Sequence, residues 1–258
     1  MNGVTGRTAL VTGAGSADGI GFATARLLKA AGAKVAITST TERIFARQAE
    51  LGADPACTFA QPADLTKAQE VAGLIAAVTA RLGGIDILVN NAGMTQVGGD
   101  VPAGTLQDMT EAGWDYGIDI NLKTAFLVTR AVLPGMVSRH YGRIVQMSSV
   151  TGPVAGIAGS SVYAAAKAGM LGMTRALAIE AGPFGVTVNC IGPGWIKTGS
   201  SFETEIVAGR HTPIGRPGTP DEIGHVAVFL ASEEASYVTG QMIVVDGGNT
   251  VQEYKVGD

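Results

Sequence analysis

Cysteine is nearly absent: Cys57 and Cys190 are the only two, far apart and outside any CxxC pair. Neither a disulfide framework nor a thiolate zinc site is expected, and free thiols in a reducing compartment fit better. His140, His211 and His225 are the only histidines, and their isolation offers no ligand spacing, so no metal is expected. Charge is scarce too. Only 16% of residues are charged, and the net charge of −4 comes from interspersed acids and bases. No basic block exists to follow a phosphate backbone or an anionic bilayer, which excludes nucleic acid and membrane as expected partners. No apolar run approaches about 18 residues, so no spanning helix is expected. The opening MNGVTGRTALVTGAG lacks a charged region followed by an apolar one, and the expected location is cytoplasmic. Repeats, low-complexity tracts and Pro/Gly/Ser linkers are missing as well, so residues 1–258 are read as one domain.

What the chain has in quantity is glycine, 37 residues, and hydrophobic residues, 46%. That balance suits a compact α/β protein with tight turns and close backbone approaches. Short β-branched runs alternate with longer helix-like segments throughout, the pattern of a parallel sheet wrapped by helices. Strands are expected at Thr8–Thr12, Lys34–Ser39, Cys57–Gln61, Ile85–Asn90, Arg143–Ser148, Val186–Ile191 and Met242–Asp246. Runs such as ILVN and RIVQM are apolar without alternation, as in strands covered on both faces. The expected fold is a doubly wound Rossmann architecture with a seven-stranded parallel sheet. Gly98 to Gly104 and Ile196 to Pro220 read as loops. The second is either a substrate lid, with Gly199, Gly209, Gly215 and Gly218 as hinges, or an ordinary surface excursion.

The first strand runs into TGAGSADGIG and then into the apolar-periodic FATARLLKAAG. Glycines at a strand-to-helix turn let backbone amides and the helix dipole face a pyrophosphate, so a dinucleotide is favoured over a plain turn. At the end of the second strand, VAITSTTER has no acid to hold a ribose 2′-hydroxyl. Ser39, Thr40 and Thr41 offer hydroxyl donors and Arg43 a positive charge, which favours NADP, with NAD as the alternative.

Tyr163 and Lys167 stand four apart in YAAAK, so both project from one face of a helix. A nearby ammonium favours the phenolate and draws a tyrosine pKa from about 10 towards neutrality, which suits acid/base work. In isolation such a pair is usually an exposed pair on an ordinary helix. Upstream, GRIVQMSS ends a buried strand and places Ser148 and Ser149 at a carboxyl end of the sheet, where doubly wound proteins bind ligands. The intervening alanines fit a helix face closely approached by another body, either a cofactor ring or a packed helix.

Together these motifs resemble the short-chain dehydrogenase/reductase family over nearly the whole chain. The family turn is TGxxxGxG; here Gly13, Gly19 and Gly21 match it, with five residues between Gly13 and Gly19 instead of three. The resemblance assigns the dinucleotide to that turn, including Ser16 and Ile20, and leaves open which amides of Gly15, Ser16 and Ala17 reach phosphate; Asp18 is expected to point away. It also implies that Asp64 and Leu65 meet the adenine and that Asn91, Ala92 and Gly93 pack beside the adenine ribose. Pro193, Gly194, Ile196 and Thr198 would receive the nicotinamide carboxamide. Asn121, Ser149, Tyr163 and Lys167 match the family's catalytic tetrad, Ser149 aligning better than Ser148, and Tyr163 and Lys167 also touch the cofactor.

The implied activity is hydride transfer between NADPH and a ketone or secondary alcohol, a 3-oxoacyl thioester being one candidate. GRPGTPDEIG and YVTGQMIVVDGG look most like 3-oxoacyl-acyl-carrier-protein reductases and related carbonyl reductases. An NAD-dependent secondary alcohol or sugar dehydrogenase is the alternative enzyme, and a dinucleotide-binding sensor or scaffold the non-enzymatic one. Phe184 stands where carrier-protein reductases commonly hold a basic residue, which weakens an acyl carrier protein as partner, although Arg130, Arg139, His140 and Arg143 are candidates for a local basic patch. The C-terminal strand and the long apolar helices imply a homotetramer, or else a dimer.

Overall fold

The computed structural model describes residues 3–52, 54–93 and 104–253. Seven strands, β1 (Thr8–Thr12), β2 (Lys34–Ser39), β3 (Thr58–Pro62), β4 (Ile87–Asn90), β5 (Gly142–Met147), β6 (Val186–Pro193) and β7 (Met242–Val245), pair in parallel in the order β3-β2-β1-β4-β5-β6-β7. Among the described residues eight α-helices connect them: α1 (Ile20–Ala30), α2 (Arg43–Glu50), α3 (Ala68–Leu82), α4 (Glu111–Ile118), α5 (Thr124–Ser138), α6 (Ser161–Ala181), α7 (Glu203–Arg210) and α8 (Pro220–Leu230). The doubly wound α/β expectation is met. Most of the loop expected from Gly98 to Gly104 lies outside the described residues.

The strands are apolar throughout because both faces are covered. Val11, Ile37, Val89 and Val145 face one core with Phe22 and Leu28 of α1 and Ile223 and Val228 of α8. Leu10, Leu88 and Ile144 face the other with Leu74 and Val78 of α3 and Val128 of α5. Each fully buried Leu, Ile or Val contributes about 1.5–3 kcal/mol relative to exposure, so alternate residues of one strand stabilise opposite layers. Gly224 lets α8 approach α1: a Cβ there would lie 2.7 Å from Leu27.

Strand boundaries differ from expectation at several ends, each for a local reason. β3 shifts onward by one residue to end at Pro62, which an edge strand tolerates because no neighbour needs the missing N–H. β4 begins at Ile87, since the Asp86 carboxylate turns to accept from the Thr8 amide at 3.1 Å. β6 continues through Gly192 and Pro193, which pair with Val244 and Val245. β7 stops before Asp246, whose carboxylate accepts from the amides of Gly248 and Thr250 and starts a turn.

Between β1 and β4 the chain connections diverge to opposite sides of the sheet, which opens a crevice at the carboxyl ends. Residues 196–220 cross this crevice, tied back by a bridge between Ile196 and Gly218 and carrying α7. Of the four expected hinges only Gly215 combines a left-handed φ of +77° with open space. Gly209 is packed on Pro217, Gly218 on Ile196 and Gly199 on the Asp18 carboxylate, so these glycines serve close approach instead.

Candidate active site

The glycine turn leaves β1 at Gly13, whose φ of +67° and 2.8 Å spacing from a would-be Cβ to Ala92 both require glycine. Thr12 fixes this corner: its hydroxyl accepts from the amides of Asn91 and Ala92, each at 3.0 Å. The Asn91 side chain returns two bonds, to the carbonyls of Thr12 and Gly13. Gly21 fits under it, since a Cβ would sit 2.5 Å from that Asn91 nitrogen. Helix α1 starts after Gly19 with no side-chain cap, and its first amides have no acceptor within the helix. These bare amides beside close-packed glycines fit a dinucleotide pyrophosphate. Within the lengthened turn, Ser16 donates to Asp18 at 2.7 Å, and the Asp18 carboxylate abuts Gly199.

At the end of β2, Arg43 folds over Gly15 beside Ser39: a Cβ on Gly15 would lie 2.5 Å from the guanidinium Nε and 2.8 Å from the serine. The Ser39 hydroxyl is buried and donates to the Thr41 carbonyl at 3.1 Å. Its proton is therefore already engaged, contrary to expectation, and Thr40 and Arg43 are the exposed donors of this corner. Asp64 accepts from the Thr66 hydroxyl and amide and pairs with Lys67 at 3.2 Å. Burial pushes its carboxyl up, but the Thr66 bonds and Lys67 outweigh this and hold it low. The Leu65 side chain is buried in the core with α3.

The four residues matched to the tetrad come together from three places: the π turn, the loop after β5 and α6. Asn121 lies in a π-helical turn, Asp119–Lys123, joining α4 to α5, and donates to the Gly117 carbonyl at 3.0 Å. Gly93 approaches it so closely that a Cβ would sit 2.8 Å from Asn121 Oδ1 and 3.6 Å from Lys167 Nζ. Beyond β5, Ser148 and Val150 continue pairing with Ile191 and Pro193 of β6, which carries Ser149 into the cavity. The Ser149 hydroxyl accepts from the Thr151 amide at 3.0 Å and shares the cavity wall with the Tyr163 phenol, whose pKa it lowers. Ser148 instead donates to the Lys167 carbonyl at 2.9 Å, which separates the two serines that the sequence left open. The body approaching the alanines of α6 is the loop after β5: a Cβ on Gly152 would lie 2.2 Å from the Ala164 carbonyl oxygen.

Lys167 is 3% exposed and donates to the Met147 carbonyl at 2.8 Å. Burial lowers its pKa from 10.5 to about 8, against a smaller opposing pull from Cys190. Tyr163 departs from expectation: burial raises its pKa, the Ser149 hydroxyl opposes this, and the Glu205 charge raises it further. The ammonium lies 5.5 Å from the Tyr163 ring centroid and is directed at Met147. It therefore does not favour the phenolate in this arrangement, and Tyr163 is kept as a neutral phenol.

These side chains line a cavity of about 580 Å³, with Pro193, Gly194, Ile196 and Thr198 along one side. Gly194 is held against Asp246, 2.6 Å from a would-be Cβ, and its amide donates to Val245. Sequence reading missed Glu205 and His211 of the crossing segment and Asn249 and Gln252 after β7, which line the same cavity. Gln252 donates to the His211 carbonyl at 2.8 Å, joining the two segments. Only DGG, a turn signal after the last strand, hinted that the chain returns to the site. Among the described residues no metal-binding cluster occurs, and no helix is long and apolar enough to cross a membrane.

A family profile described as "Enoyl-(Acyl carrier protein) reductase" matches residues 13–250. Oxidoreductase UcpA of Escherichia coli (strain K12) is 40% identical over 268 residues, covering 98% of each chain. The 3-oxoacyl-[acyl-carrier-protein] reductase FabG of Vibrio cholerae is 40% identical over 247 residues, 94% of this chain and 97% of that protein. The solved structure of levodione reductase superposes with a TM-score of 0.88 at 34% identity, covering 97% and 99% of the two chains.

Between pH about 8 and 10.5 the unfolded chain binds more protons at Lys167 than the folded protein, so this group makes stability rise with pH across that window. Lys167→Met should abolish that rise and narrow the gap between neutral and alkaline stability by up to about 3 kcal/mol. Urea unfolding of both proteins from pH 7 to 10.5 measures it. Cys190, pushed up to about 11 by burial, is present in both; parallel profiles would show that Lys167 titrates as in the unfolded chain.

Proposed function

The chain belongs to the short-chain dehydrogenase/reductase family, and from that premise we propose that it reduces a ketone to a secondary alcohol with NADPH as the favoured cofactor. It is an NAD(P)-dependent oxidoreductase acting on carbonyl and CH–OH groups. The observation that carries the finer reading is the convergence of Asn121, Ser149, Tyr163 and Lys167 on the wall of one cavity.

When bound, the nicotinamide supplies the hydride to the carbonyl carbon, or takes it up in the reverse direction. Ser149 donates to the carbonyl oxygen and holds it within reach of the Tyr163 phenol. Tyr163 releases its proton to that oxygen as negative charge develops there, and a raised pKa keeps the proton in place until then. Lys167, anchored on the Met147 carbonyl, would hold the nicotinamide ribose, and Asn121 braces the helix wall from its π turn. Oxidation of the alcohol runs the same transfers backwards.

NADPH is favoured by the Arg43 guanidinium over Gly15 at the end of β2, where no acid stands. A 3-oxoacyl thioester fits the FabG likeness, but two of the four residues of the expected basic patch for carrier docking are engaged elsewhere. Arg143 is 3% exposed and pairs with Glu233 at 3.1 Å, while Arg139 pairs with Asp86 at 3.5 Å. A homotetramer is favoured by the partly bare edge strand, with Val244 40% exposed, and by Ile179, 79% exposed on α6.

Loss of NADPH absorbance over a panel of ketones and 3-oxoesters should fall at least about a hundredfold in Tyr163→Phe; undiminished turnover would refute the proton-donor role. Arg43→Ala should raise KM for NADPH at least about tenfold and leave NADH little changed, since one charge-assisted phosphate contact is lost. An unchanged preference would remove Arg43 from the cofactor reading. Sedimentation at micromolar concentration should give four times the 26.2 kDa chain mass, and a monomer would refute the assembly.

A further inference from the structure

Among the described residues the substrate side of the cavity carries one carboxylate, and we propose that Glu205 sets the charge preference of the site. It accepts a hydrogen bond from a hydroxyl on an uncharged ketone and turns away substrates with a carboxylate beyond the carbonyl. This rests on the reading of the cavity as the place where a ketone meets Tyr163.

Four observations converge. Glu205 lines the cavity from the first turn of α7, and its Oε2 accepts from the Phe202 amide at 2.9 Å, which fixes the carboxylate in place. One such bond leaves acceptor capacity, since a carboxylate has about four lone-pair sites. It lines the same cavity as the Tyr163 phenol, where the carbonyl oxygen must sit, and its charge raises the phenol's pKa. Among the described lining residues the only lysine or arginine is Lys167, which is buried and donates to Met147, away from any substituent of a substrate. The body of the wall is apolar, with Val150, Ile157, Val162, Trp195 and Phe202. Such a wall holds an uncharged carbon skeleton, and an anion there would face a fixed like charge, with no lysine or arginine among the described lining residues besides the engaged Lys167 and only His211 as a further basic side chain.

The capping bond by itself would make Glu205 a structural residue. Glu205→Gln separates the two roles, because an amide oxygen still accepts from Phe202 while the charge is gone. The probes are 4-hydroxy-2-butanone and acetoacetate, ketones that differ in a terminal hydroxyl or carboxylate, each assayed with NADPH. The wild type should favour the hydroxyketone by about a hundredfold in kcat/KM, and the variant should lose at least about tenfold of that ratio, mainly through a lower KM for acetoacetate. A ratio unchanged by the substitution, or both substrates altered alike, overturns the proposal. Turnover of neither ketone would count against the ketone reading instead. In that case binding of 1-hexanol and hexanoate, followed by NMR, still decides the charge preference: the wild type should bind hexanol more tightly and the variant should not discriminate, whereas equal binding by the wild type overturns it.

Discussion

The Thr12 hydroxyl is the constraint on which the site depends. Its bonds from the amides of Asn91 and Ala92 lock the carboxyl ends of β1 and β4 together where the chain switches sides. Without that fastening the glycine turn and the segment after β4 would have no fixed relation, since their own side chains are too small to pack. With it, Asn91 seals the turn through Gly13, and Gly93 is delivered against Asn121 and Lys167. A hydroxyl serving two amides also leaves neither of those donors orphaned. Cofactor end and chemical end are thus built from one corner.

The polar groups beyond this corner are arranged by who occupies whom. Lys167 gives its proton to Met147, and its own carbonyl receives Ser148, so strand β5 and helix α6 are clasped in both directions. That clasp uses one serine and leaves its neighbour, Ser149, to meet Tyr163. Desolvation then acts oppositely on the pair: it pushes the tyrosine towards its neutral acid and the lysine towards its neutral base. The protein alone therefore sets the protonated phenol as its resting form.

The sheet was legible because parallel strands buried on both faces carry an unbroken β-branched signal; β1 and β2 end where the sequence places them. Boundaries moved where a side chain replaced a ladder bond, as at Asp86 and Asp246, a substitution that hydropathy does not register. The motif residues of the site were legible because their spacing encodes geometry. Glu205, Asn249 and Gln252 were not, since they reach the cavity by tertiary return and belong to no local pattern. The direction of the Tyr163 shift was also hidden: a spacing of four residues places Lys167 nearby but says nothing of the Met147 carbonyl that claims its ammonium.

The π turn around Asn121 has a further consequence for how α4 and α5 share their work. An ordinary helix advances about 100° per residue, so one surplus residue in a single turn rotates everything after it by roughly that angle. The face of α4 that presents Gly117 to the cavity and the face of α5 that buries Val128 and Met136 in the sheet layer are thereby out of phase. Asn121 stands at the change of phase, and its amide takes the Gly117 carbonyl that the wider turn displaces. The surplus residue thus lets one nearly continuous rod serve two masters, a catalytic wall and a hydrophobic core, whose directions a regular helix could not satisfy together.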